Sequence, residues 1–86
     1  NEGLRSSNFT AAAGDSYIIS ASLTVDLPAS PQQGDRVEFI YITTGTVTVD
    51  RNGSNINGSA SNLTNTTKGA DCFVYTDATE GWRNIY

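Results

Sequence analysis

The chain has no histidine, no methionine, one cysteine and only two prolines. With Cys72 alone, no disulfide can form within the chain. One thiol and no imidazole leave a zinc cluster without ligands, and nucleophilic catalysis without its usual general base. Basic residues are also few. Arg5, Arg36, Arg51, Arg83 and Lys68 are scattered, and nine acidic residues outnumber them for a formal net charge of −4. Such a chain lacks the electrostatic footprint for nucleic acid or an anionic membrane, so neither is an expected partner. No apolar run approaches the roughly 20 residues of a membrane span. Residues 1–7 have no signal-peptide character, and a start without Met reads as a processed, trimmed or excerpted chain.

What is present points to short strands. Thr, Ser, Asn and Gly make up 36 of the 86 residues. Thr favours strands, whereas Gly, Asn and Ser favour tight turns. The length supports one domain with a small core. With disulfides and metals excluded, association with further subunits is the expected source of the missing stability. Asn-X-Ser/Thr triplets at Asn8, Asn52, Asn57, Asn62 and Asn65 are what so Asn-, Ser- and Thr-rich a chain produces by composition.

Residues 1–9 are polar and aperiodic and read as an arm or linker, leaving 10–86 as a single β-domain. A first strand begins at Tyr17-Ile18-Ile19 and continues through the alternating Leu23, Val25 and Leu27, until Pro28 and Pro31 stop it. In residues 36–42, Val37, Phe39 and Tyr41 line one face, while Ile40 and Ile42 put apolar bulk on the other. Cys72-Phe73-Val74-Tyr75 shares that two-faced character. Strands apolar on both sides are usually covered on both sides, either centrally in a sandwich or at a subunit interface. Ile40, Ile42 and Val74 are therefore the candidate interface residues. Residues 46–50 alternate again, and Asn52-Gly53 and Asn57-Gly58 carry the dipeptide that favours type I′ turns. Strands at 71–76 and 82–86 close the chain. About six short strands without a helix predict an all-β fold, a small β-sandwich or barrel-like module.

Chemistry for catalysis is thin. Cys72 lies within an apolar strand, where a thiol is usually inert. Paired carboxylates could support glycoside hydrolysis, with Asp15, Asp26, Asp35, Glu38, Asp50, Asp71, Asp77 and Glu80 as the pool, but most fall at turns, where Asp serves the backbone. Asp50, Asn52, Asn55 and Asn57 imitate a calcium loop, yet Gly53 comes too early and the closing Glu is missing. No catalytic, metal or cofactor-binding residue is assigned, and no cofactor is expected. Trp82 and Tyr86 are candidate glycan contacts, since an aromatic ring can stack on a sugar. A domain this small also needs Trp82 for its core.

Several segments occur in a characteristic order: Leu27-Pro28-Ala29-Ser30-Pro31, Gly34-Asp35-x-Val37, Thr48-Val49-Asp50-Arg51-Asn52-Gly53-Ser54-Asn55-Ile56-Asn57-Gly58, Val74-Tyr75-x-Asp77 and Gly81-Trp82-Arg83. Together they span nearly all of 10–86 and resemble a β-module that recurs in bacteriophage and prophage tail fibres and related virion proteins. The resemblance implies a homotrimeric, fibre-like structural protein of the virion, without an active site. Its partners would be further copies of itself and other tail or capsid proteins. Rival readings are a capsid decoration (cement) protein attached through residues 1–9, a module that binds a host surface glycan, and a small glycosidase.

Overall fold

In the computed structural model, which describes residues 3–86, the chain alternates between two facing sheets as it advances. The strands are β1 (Leu4–Arg5), β2 (Phe9–Thr10), β3 (Ser16–Ile19), β4 (Leu23–Asp26), β5 (Arg36–Tyr41), β6 (Val47–Asp50), β7 (Leu63–Asn65), β8 (Gly69–Asp77) and β9 (Gly81–Asn84). Sheet A has the order β1-β3-β5-β8-β9, and sheet B the order β2-β4-β6-β7. β1, β3 and β5 run parallel in sheet A, as do β2, β4 and β6 in sheet B. The first half therefore winds as three coils, each giving one strand to each sheet. Parallel neighbours need a crossover connection, and the strand in the opposite sheet supplies it. From β7 onward the pairing is antiparallel, with β7 on β6, β8 on β5 and β9 on β8. The all-β expectation holds, with no helix among the described residues.

Period-2 alternation sets the inward faces. Tyr17 and Ile19, Val37, Phe39 and Tyr41, Leu23 and Val25, and Val47 and Val49 all point between the sheets and are buried in one cluster with Phe73 and Trp82. Burying each such aliphatic or Phe side chain contributes about 1.5–3 kcal/mol. Aromatic rings run through this core. The centroid separations are 4.8 Å for Phe9–Tyr17, 6.1 Å for Tyr17–Phe39 and 6.0 Å for Phe39–Phe73, all within the favourable range. The radius of gyration is 11.7 Å, close to the ~12 Å of a compact chain this long.

The two edges of sheet A are protected in different ways. Arg5, opposite Ile19, takes an inward position at the β1 edge. Its guanidinium carbon lies 4.8 Å from the Phe9 ring centroid and 5.3 Å from that of Tyr17. A two-residue edge strand with an inward charge is a poor template for another strand. At the other edge of sheet A, residues 54–59 pack along β9 through Trp82 N–H to Asn55 O (2.8 Å) and Asn57 N–H to Trp82 O (2.7 Å). Asn57 and Gly58, at φ 53° and 77°, form the two-residue turn that this segment needs, closed by paired Ile56–Ser59 bonds of 2.9 and 3.0 Å. Asn52-Gly53 also turns with positive φ, closed by Ser54 N–H to Arg51 O (3.1 Å), but it joins no hairpin strands.

Three expectations change. The segment read as a polar arm, 1–9, contributes β1 and the first residue of β2; Asn1 and Glu2 lie outside the described residues. Two-residue strands are too short to show a period. The single strand expected from Tyr17 to Leu27 is two strands, because the bend at 20–22 carries the chain from sheet A to sheet B. Nine strands replace about six, and parallel coils build the first half.

Candidate subunit interface

The inward alternation leaves a second set of side chains on the outer face of sheet A. Leu4, Ile18, Ile40 and Ala70 are successive partners across β1, β3, β5 and β8. Leu4 is 53% exposed, Ile18 38% and Ile40 36%, and Ile42, just past β5, is 51% exposed. Neighbouring strands are roughly 4.8 Å apart, so these aliphatic groups form a continuous ladder in solvent. Single exposed apolar residues need no explanation, but a contiguous row does.

Polar side chains border the ladder. Glu38 lies between Ser16 on β3 and Cys72 on β8. Its carboxylate accepts from the Ser16 hydroxyl (3.0 Å) and from the Tyr86 hydroxyl. Those two bonds, the Tyr86 bond foremost, hold the Glu38 carboxyl below its ordinary value. Donation to Glu38 pushes the Tyr86 hydroxyl up to about 12. The backbone of 85–86 extends the β8–β9 ladder, with Ile85 N–H to Cys72 O at 2.8 Å and Cys72 N–H to Tyr86 O at 3.1 Å. To reach Glu38 from that position, the Tyr86 ring crosses β8 over Cys72, which is fully buried. Beyond this polar row, Val74 sits partly buried between its partners Arg36 and Arg83. Arg83 also pairs with Glu80 at 3.3 Å, an exposed contact worth little.

The structure thus puts Ile40, Ile42 and Val74 on one outer face, with Ile40 and Ile42 at the aliphatic end and Val74 beyond Glu38. Leu4 and Ile18 join them, and sequence reasoning missed both. Ile18 was visible as the odd member between the inward Tyr17 and Ile19, whereas Leu4 lay in the stretch read as an arm. The candidate glycan contacts separate. Trp82 is fully buried, edge-on to Tyr75 at 5.5 Å, so its ring fills the core. Tyr86 is 52% exposed but occupied with Glu38.

The carboxylates largely serve the fold. Asp35 accepts from Gln32 N–H (2.9 Å), Asp50 from Asn52 N–H (2.8 Å), and Asp77 from Thr79 and Glu80 N–H (2.9 and 2.7 Å). Asp71 accepts from the buried Tyr41 hydroxyl at 2.8 Å; burial, with that bond, raises the Tyr41 pKa. Among the described residues no group of three His, Cys, Asp or Glu is placed to hold a metal ion.

No protein-family model and no curated protein matches the chain. The fold does have solved counterparts. A chain in the structure of a chaperone–substrate complex superposes with a TM-score of 0.58 over 98% of this chain, at 15% identity. At that identity the likeness speaks for the fold alone. This chain spans 14% of the length of that one.

Proposed function

We propose that the chain is a non-catalytic structural module of a phage virion, a homotrimeric unit of a tail fibre or tailspike. The observation that carries this reading is the in-register ladder Leu4–Ile18–Ile40 on the outer face of sheet A, extended by Ile42. A small chain without disulfide or metal has little other means to add stability. Covering this ladder with copies of itself removes the apolar surface from water and adds to a small core. The polar row of Ser16, Glu38 and Tyr86 beside it would rim such an interface, where hydrogen bonds fix register rather than supply affinity. The resemblance to tail-fibre modules supports the same reading. So does a fold that recurs as a small part of a much longer chain.

Antibody labelling of purified particles tests the location. Label along the tail is the expected result. Label spread over the head would replace this reading with capsid decoration. Particles without label, from a preparation that makes the protein, would remove it from the virion.

A further inference from the structure

The stack of parallel coils has one open end, where β1 is the edge of sheet A and β2 the edge of sheet B. Later coils add in a fixed way, with β3 on β1 and β5 on β3 in one sheet, and β4 on β2 and β6 on β4 in the other. Strands of a second copy of the chain could add to the β1 and β2 edges through the same backbone groups. Gly3 O and Arg5 O accept from Ile18 and Ser20 N–H at 2.6 and 2.9 Å, which turns the backbone groups of Leu4 away from β3 toward that free side. We infer that Arg5 and Asn8 form a cap that stops this addition and keeps copies of the chain from joining end to end.

Arg5 closes the gap between the sheets. Its guanidinium carbon is 4.8 Å from the ring centroid of Phe9 in sheet B and 5.3 Å from that of Tyr17 in sheet A, so one charged group spans both rings. A second copy docking here would have to strip water from that charge. The residue does little for its own surroundings. Its Nε is buried without a hydrogen-bond partner, and the ion pair found among the described residues is Arg83–Glu80, elsewhere on the surface. A leucine would cover the same rings without an unpaired donor, so position 5 forgoes local stability. Asn8 closes the edge of sheet B. β2 has two residues against the four of β4, and the Thr24 N–H lies outside the β2–β4 register. Asn8 Oδ1 accepts that N–H at 2.7 Å. The donor is thus used by a side chain, which offers no strand for another chain to extend.

The test compares the parent with Arg5→Leu, with Arg5→Leu/Asn8→Ala and with Arg5→Lys, by light scattering across a dilution series. Both leucine variants should keep the amide dispersion of the fold, and Arg5→Leu should melt no lower than the parent. The mass of the double variant should rise with concentration by at least about twofold, since each freed end recruits one further copy. Arg5→Lys keeps the charge and should hold the parent's mass. Amide exchange read by mass spectrometry should show new protection over residues 3–10 in the larger species. The baseline is the parent's own mass, so the cap is tested whether that mass is three chains or one. A folded double variant that holds the parent's mass at every concentration would overturn the inference. So would growth shared by Arg5→Lys, or growth whose new protection lies outside residues 3–10. An Arg5→Leu that melts well below the parent would also overturn it, by showing that Arg5 holds the fold together.

Discussion

Val25 and Val49 lie side by side as direct partners in the parallel ladder of sheet B, both fully buried. They belong to two tetrapeptides, Leu23-Thr24-Val25-Asp26 and Val47-Thr48-Val49-Asp50, that align along their whole length and differ at one position. The second and third coils therefore use one local pattern twice. Their inward residues build the core, and their outward Thr and Asp residues form matching rows.

That pairing sets the first prediction. Val25→Ala or Val49→Ala should each cost about 2–3 kcal/mol, from lost burial plus a residual cavity. Because the two side chains share neighbours, the double variant should depart from the sum of the single effects. Urea unfolding reads this directly. Losses below about 0.5 kcal/mol would mean that the two coils do not pack as described.

Gly81 supplies the second. It sits at φ 74°, and a Cβ there would meet the backbone of Asn55, with the carbonyl oxygen 2.0 Å away. Gly81→Ala should therefore push residues 54–59 off β9 and cost at least about 2 kcal/mol, a fall of roughly 8 °C or more in Tm for a chain this small. Gly53→Ala is the comparison. It has a similar φ of 91° but open space around it, and should cost less.

Trp82→Ala should cost about 3–5 kcal/mol by emptying the core. Thermal unfolding checks it. A variant with an unchanged Tm would show that the indole is a surface group, available to ligands after all.

The Glu38–Tyr86 bond makes stability depend on pH at both ends. Glu38 titrates below its ordinary 4.5 when folded, so its contribution is full above that value and is lost as pH falls through the lowered pKa. Tyr86 is raised from 10.0 to about 12, so its contribution is present below pH 10 and is lost as pH rises through 12. Tm measured against pH should therefore decline at both extremes. The declines should be shallow because the pair is exposed, and both should be shallower in Tyr86→Phe. Identical profiles for the two proteins would show that the bond contributes nothing.

Where a strand was long enough to alternate, sequence reading located it, as with Val37, Phe39 and Tyr41 in β5 or Val47 and Val49 in β6. The two-faced character of 36–42 likewise led to Ile40 and Ile42. Topology was hidden for physical reasons. The coils are unequal in length, with loops of different size between Thr10 and Ser16 and between Asp26 and Arg36, so no fixed period marks them. The near-identical tetrapeptides ending at Asp26 and Asp50 were the one repeat signal available. Asn-Gly dipeptides suggested hairpins; Asn57-Gly58 makes one, while Asn52-Gly53 only redirects the chain. Leu4 could not be read as part of a ladder, because its strand is two residues long and its partners are supplied by distant segments.

The proposed homotrimer is held by copies of the chain that cover the Leu4–Ile18–Ile40 ladder. Its most direct test is solution mass by light scattering across a dilution series, for the parent and for Ile18→Lys with Ile40→Lys. Both changes are on the outer face, so the fold should persist, as amide dispersion would show. The expected result is a stable mass of three 9.1 kDa chains for the parent and one for the variant. A folded parent that remains monomeric at every concentration would contradict it, as would a variant that remains trimeric.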